Sequence, residues 1–165
     1  MRVNSRTWLG ALAILLLGLV PATAAPEDCA AIAAAFAKMG DVPAFHEVIE
    51  QDDVTFEATA IGDMLYMDMD GEVTPVPLGE GGRAKLFASV FDVFTVKDCT
   101  ALADEALDGR NMKVFDYVLP PDGAIVTEAI TQRVWIGADD GLPYQATNPT
   151  GKVDITYEGV VAPTP

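Results

Sequence analysis

Histidine occurs once in this 165-residue chain, at His46, and cysteine twice, at Cys29 and Cys99. Beyond residue 24 serine also occurs once, as Ser89 inside an apolar stretch. These scarcities exclude whole classes of chemistry. Nucleophilic hydrolysis needs a serine or cysteine beside a base, and no G-x-S-x-G turn is present. A redox pair wants C-x-x-C spacing, which two cysteines 70 positions apart do not offer. Gly79-Glu80-Gly81-Gly82 lacks the Lys-Ser/Thr that completes a phosphate-cradling loop, so it reads as a turn. Positive charge is scarce too: ten Lys and Arg stand against 25 Asp and Glu, a formal charge of −15. Such a field repels nucleic acid and anionic membrane surfaces.

The longest apolar run is at the N-terminus. Arg2 and Arg6 precede an apolar stretch over residues 8–20, Pro21 breaks it, and Ala22-Thr23-Ala24 supplies a small-x-small cleavage pattern. The run is shorter than the roughly 20 residues of a membrane span. We expect a signal peptide over residues 1–24, cleaved after Ala24, and no membrane span in the mature chain. Cys29 follows Pro26-Glu27-Asp28, which is not the setting of a lipoprotein acceptor cysteine. In an exported chain the even pair Cys29 and Cys99 reads as a structural disulfide.

Residues 28–39 read as a helix. Cys29, Ile32, Phe36 and Met39 form one stripe, and Gly40 stands where a C′ glycine would stop it. The period then becomes two. Strands are expected over residues 44–51, 54–60, 64–69 and 73–78, with turns at Asp52-Asp53 and Asp70-Gly71. Residues 83–94 read as a second helix with Ala84, Phe87, Ala88 and Phe91 on its apolar face. Further strands are expected near residues 99–106, 113–119, 125–136 and 152–160, punctuated by Asp108-Gly109, Asp122-Gly123 and Asp140-Gly141. Repeated hairpins with only two helices imply an α+β fold: a curved antiparallel sheet, a half-barrel meander, covered on one face by two helices. Residues 25–161 form one domain in this reading, and 162–165 a disordered tail.

Carboxylates are abundant, but in a chain this acidic two of them fall close by chance, so paired-acid glycosidase chemistry gains no support. Asp68-Met69-Asp70-Gly71-Glu72 begins like a calcium loop, yet Pro75 and Pro77 occupy its middle, so it reads as a hairpin. Met64, Met67 and Met69, with His46 on a nearby strand, outline a soft Cu(I) site. Against it, alternation puts Met64 on the face opposite Met67 and Met69. No cofactor or resident metal is called for, and no enzyme is expected.

One stretch is familiar. Arg133-Val134-Trp135-Ile136-Gly137, the turn Ala138-Asp139-Asp140, and Gly141-Leu142-Pro143-Tyr144 resemble the strand–Trp–turn–Gly-Leu-Pro signature of periplasmic LolA/LolB-like lipoprotein carriers. Leu107-Asp108-Gly109 and the closing Ile155-Thr156-Tyr157-Glu158-Gly159-Val160 fit the same meander. The resemblance extends over residues 28–162 and implies a half-barrel capped by helices around an apolar cavity for acyl chains. It transfers no functional residue.

The leading expectation is therefore a non-enzymatic periplasmic protein, or one secreted to the medium, that binds a lipid or other apolar molecule between sheet and helices. Phe45, Phe56, Phe87, Phe91, Phe115 and Trp135 are the candidate lining, with Phe94 beside them, although aromatics of that size usually fill a core. The alternatives are a cell-envelope interaction module with a protein partner and no small ligand, and a copper-binding protein using Met64, Met67 and Met69.

Overall fold

A computed structural model describes residues 25–93, 96–121 and 127–164, with the backbone alone at 88–93. The expected leader, Phe94, Asp122-Gly123, Pro165 and the side chain of Phe91 lie outside the described residues.

Among the described residues twelve elements follow one another as α1 (Pro26–Met39), β1 (Ala44–Gln51), β2 (Val54–Ile61), β3 (Met64–Met69), β4 (Glu72–Pro77), α2 (Gly82–Val93), β5 (Lys97–Ala101), β6 (Glu105–Leu107), β7 (Arg110–Leu119), β8 (Ile130–Gly137), β9 (Pro143–Asn148) and β10 (Gly151–Thr156). All the strands join one antiparallel sheet in the order β4-β3-β2-β1-β10-β9-β8-β7-β5, with β6 also paired to β7. The sheet stays open, an α+β half-barrel. Its first four strands are a hairpin meander, and Asp70 and Gly71 both take positive φ (56° and 82°), as a two-residue turn between β3 and β4 requires. Edge strand β4 carries Pro75 and Pro77, opposite Tyr66 and Met64.

The structure departs from the sequence reading in four places, the first being that the closing strand, expected near residues 152–160, ends at Thr156. The stretch near residues 99–106 divides into β5 and β6, both paired to β7. Strand β9 was not expected at all: it starts on Pro143, and its sequence Pro-Tyr-Gln-Ala-Thr-Asn shows no apolar alternation. Proline is tolerated as the first residue of a strand. Gly40 ends α1 with φ −63° rather than a left-handed cap. Its reason for being glycine is proximity, since a Cβ there would lie 2.8 Å from the Ala84 Cα of α2.

Both helices cover the same sheet face. Ile32 and Ala35 of α1 pack on Phe115, Tyr117, Val134 and Ile136 from β7 and β8, with Cys99. Met39, Phe45, Ala60 and Ile155 form a second cluster, joined by Phe87 of α2. Phe36 touches both. The N-terminus of α1 is tied to β5 by the Cys29–Cys99 disulfide, by the Ala101 amide donating to Asp28 (3.0 Å), and by the Ala25 amide donating to the Cys99 carbonyl (3.1 Å). With its sulfur so bonded, Cys29 is not free for acylation. No described helix is long and apolar enough to cross a membrane.

Candidate functional site

Strand parity decides which side chains meet the helices. In β1, Phe45, Glu47 and Ile49 share the covered face; Phe45 and Ile49 belong to the alternating apolar pattern, but Glu47 between them does not. Glu47 stands opposite Ala58 on β2 and Ile155 on β10, both buried.

Between the two core clusters lies a groove of about 260 Å³. Phe36 and Phe87 from the helices, Glu47, Ile49, Ala146, Val153 and Ile155 from β1, β9 and β10, and Tyr117, Leu119 and Gln132 from β7 and β8 line it. Its walls are hydrocarbon except at Glu47, Gln132 and the Tyr117 hydroxyl. That hydroxyl donates to Gln132 Oε1 at 2.5 Å, and burial holds it well above the ordinary tyrosine range. Gln132 accepts this bond, and its NH2 has no protein acceptor among the described residues. Glu47 has neither an ion-pair nor a hydrogen-bond partner among them. Burial pushes its carboxyl up to about 7, because the charged form loses water with nothing to replace it. Tyr157, also raised by burial and then by Glu47, donates its hydroxyl to the Pro143 carbonyl at 2.6 Å and is thereby occupied.

A larger cleft of about 490 Å³ includes Arg110, Tyr144, Lys152, Asp154 and Glu158. Apart from Asp108, its charges are already matched. Arg110 pairs with Glu158 at 2.7 Å and stacks over Tyr144, while Lys152 and the Gln145 amide both reach Asp154 (2.6 and 2.7 Å). The Tyr144 hydroxyl donates to Asp140 at 2.6 Å; burial and then that bond push it up to about 12. A cleft whose polar groups satisfy one another has little left for a ligand. The smaller groove, apolar with two unanswered polar groups, is the better candidate.

The expected aromatic lining separates into different places. Phe87 lines the groove, and Phe45 packs edge-on against it from below, with centroids 5.7 Å apart. Phe115 is buried in the α1 cluster. Phe56 sits beside the groove, opposite Ile49. Trp135 occupies the other face of the sheet, where its indole N–H donates to Glu105 at 2.8 Å and Arg133 lies 6.0 Å from its ring. Met64 lies on the face opposite Met67 and Met69, so the three thioethers do not converge. His46 is on Met64's face, hydrogen-bonded to Glu57 at 3.0 Å. Among the described residues no three His, Cys, Asp or Glu side chains form a metal-holding group. Sequence reasoning missed Glu47 and Gln132. The available signal was an acid at an inward position of an alternating strand.

No protein-family model matches the chain, and no curated protein matches it in sequence. Solved structures do match in fold. The lipoprotein LppX of Mycobacterium tuberculosis superposes with a TM-score of 0.52 at 14% identity, over 82% of this chain and 98% of that one. LprF of Mycobacterium bovis gives 0.50 at 13% identity, over 87% and 97%. The chain shares their fold over nearly the whole length of both.

Proposed function

We propose that this protein is a non-enzymatic carrier or binder of an apolar molecule, working outside the cytoplasm and holding its ligand in the groove between the helices and the sheet. The observation that supports this most is the groove itself, an apolar slot separating two packed clusters where a sheet-and-helix sandwich would otherwise close. Its volume sits just under the roughly 300 Å³ at which ligand pockets begin. One slender chain or small ring system therefore suits it better than a many-chained lipid. The likeness in fold to a protein described as a lipoprotein agrees with a place in the cell envelope. The leader expected from the sequence over residues 1–24, together with the disulfide, supports the same location.

Native mass spectrometry of protein recovered from an envelope fraction should show added mass that is lost on denaturation. Purified protein should also bind the neutral dye prodan with a blue shift, and Ala146→Trp, which fills the groove from β9, should abolish that binding. Saturable dye binding that survives Ala146→Trp would overturn the assignment of the groove.

A further inference from the structure

The chemistry of the groove also restricts what the ligand carries at its polar end. Of its ten lining residues none is cationic, so an acyl carboxylate or a phosphate placed there would meet no Lys or Arg. It would instead face Glu47. That carboxyl is half-buried, flanked on its own sheet by Ala58 and Ile155, and lines the groove together with Phe36 and Phe87, with Tyr117, Tyr157 and Gln132 as the polar groups around the groove. Both tyrosine hydroxyls are committed to other acceptors. No described partner answers the carboxyl, yet the groove leaves it within reach of a guest.

Resting on the reading of the groove as a ligand site, we infer that it takes an apolar molecule ending in a protonated amine, with Glu47 as the specificity-determining group. An ammonium supplies what the carboxyl lacks, a positive charge and up to three N–H donors. In a water-poor slot such a pair is worth more than on a surface. The Gln132 carbonyl oxygen has a second lone pair for another of those donors. The net charge of −15 favours the approach of a cation and opposes that of a fatty acid. Binding is then a balanced proton exchange: R–NH3⁺ joins protein–COOH to give R–NH3⁺···⁻OOC–protein, and one proton leaves to solvent.

The test is competition against bound prodan by three twelve-carbon compounds that differ only at the head: dodecylamine, 1-dodecanol and dodecanoate. They are compared at neutral pH in high salt, which suppresses adsorption to the acidic surface. The amine should compete best, by about tenfold or more, as expected of a charge-assisted bond. Glu47→Gln should erase that preference, the amine then competing no better than dodecanol. Calorimetry in two buffers of different ionisation enthalpy should register proton release near pH 6 for the amine and none for the alcohol. Equal competition by all three, a dodecanoate preference, or an amine preference that survives Glu47→Gln overturns the assignment of the head group while leaving an apolar site. If none of the three displaces the dye, the carrier reading falls as well.

Discussion

Glu47 faces Ile155 directly across the β1–β10 ladder, so a carboxyl group shares its side of the sheet with a side chain only 5% exposed. Its native pKa, about 7, lies above the ordinary value of 4.5. The folded protein therefore holds that proton more tightly than the unfolded chain. The resulting stabilisation is complete below about pH 4.5 and is lost as pH rises through about 7, a difference of about 3 kcal/mol at the most. Glu47→Gln should remove this loss. Urea denaturation of both proteins at pH 5 and pH 8 measures it, and an unchanged gap between variant and parent would refute the burial argument.

Gly40, capping the end of α1, lies close against the backbone of Ala84 in α2. Because Gly40 already has helical φ, an alanine there would ordinarily add stability. Here its Cβ would meet backbone at 2.8 Å, and backbone cannot rotate aside. Gly40→Ala should cost about 1–3 kcal/mol. It should also weaken dye binding, because α2 carries Phe87 into the groove. A stabilised variant would mean that the helices separate easily.

Loss of the disulfide should be felt over most of the domain. The ring it closes spans α1, β1 to β4 and α2, and the chain-entropy argument gives about 4 kcal/mol for a loop of this length. Paired Cys29→Ala and Cys99→Ala substitutions should lower Tm by on the order of 10 °C. A fall of only a degree or two in a thermal melt would show that Asp28, Ile32 and Ala35 hold α1 unaided.

Tyr117→Phe isolates one hydrogen bond. Tyr117 is 3% exposed and its hydroxyl has Gln132 as acceptor, so deletion should cost about 1 kcal/mol. It should leave the preference for an amine over an alcohol intact, since Glu47 remains. Loss of that preference in this variant would move the reading of the head group from Glu47 to the Tyr117–Gln132 pair.

Much of the fold was legible in the sequence because its rules are local. The stripe from Cys29 to Met39 marked α1, the alternation around Phe56 marked β2, and Asp70-Gly71 marked its turn. Cys29 and Cys99 had no other partners to choose. Strand β9 was invisible because its neighbours, not its composition, make it a strand: β8 and β10 pair with it on either side. The site was less legible for a related reason. Residue type pointed to Trp135, but parity along β8 puts that side chain on the uncovered face, where Val134 and Ile136 on either side of it are the ones that meet α1. Glu47 looked like one more acid in an acidic chain. Only its place between Phe45 and Ile49 distinguished it.

The prolines of β4 bear on how this molecule behaves in company. An open sheet has two edges, and each unpaired edge is a template on which another chain can continue the ladder. Pro75 and Pro77 are two positions apart, so both missing N–H groups belong to one side of the strand, and proline is tolerated in a paired strand where that side faces solvent. A second molecule arriving there meets carbonyls without the alternating donors it needs. At this edge the ladder ends with β4, and continuation of the sheet by a second molecule is left to the opposite edge, at β5 and β6.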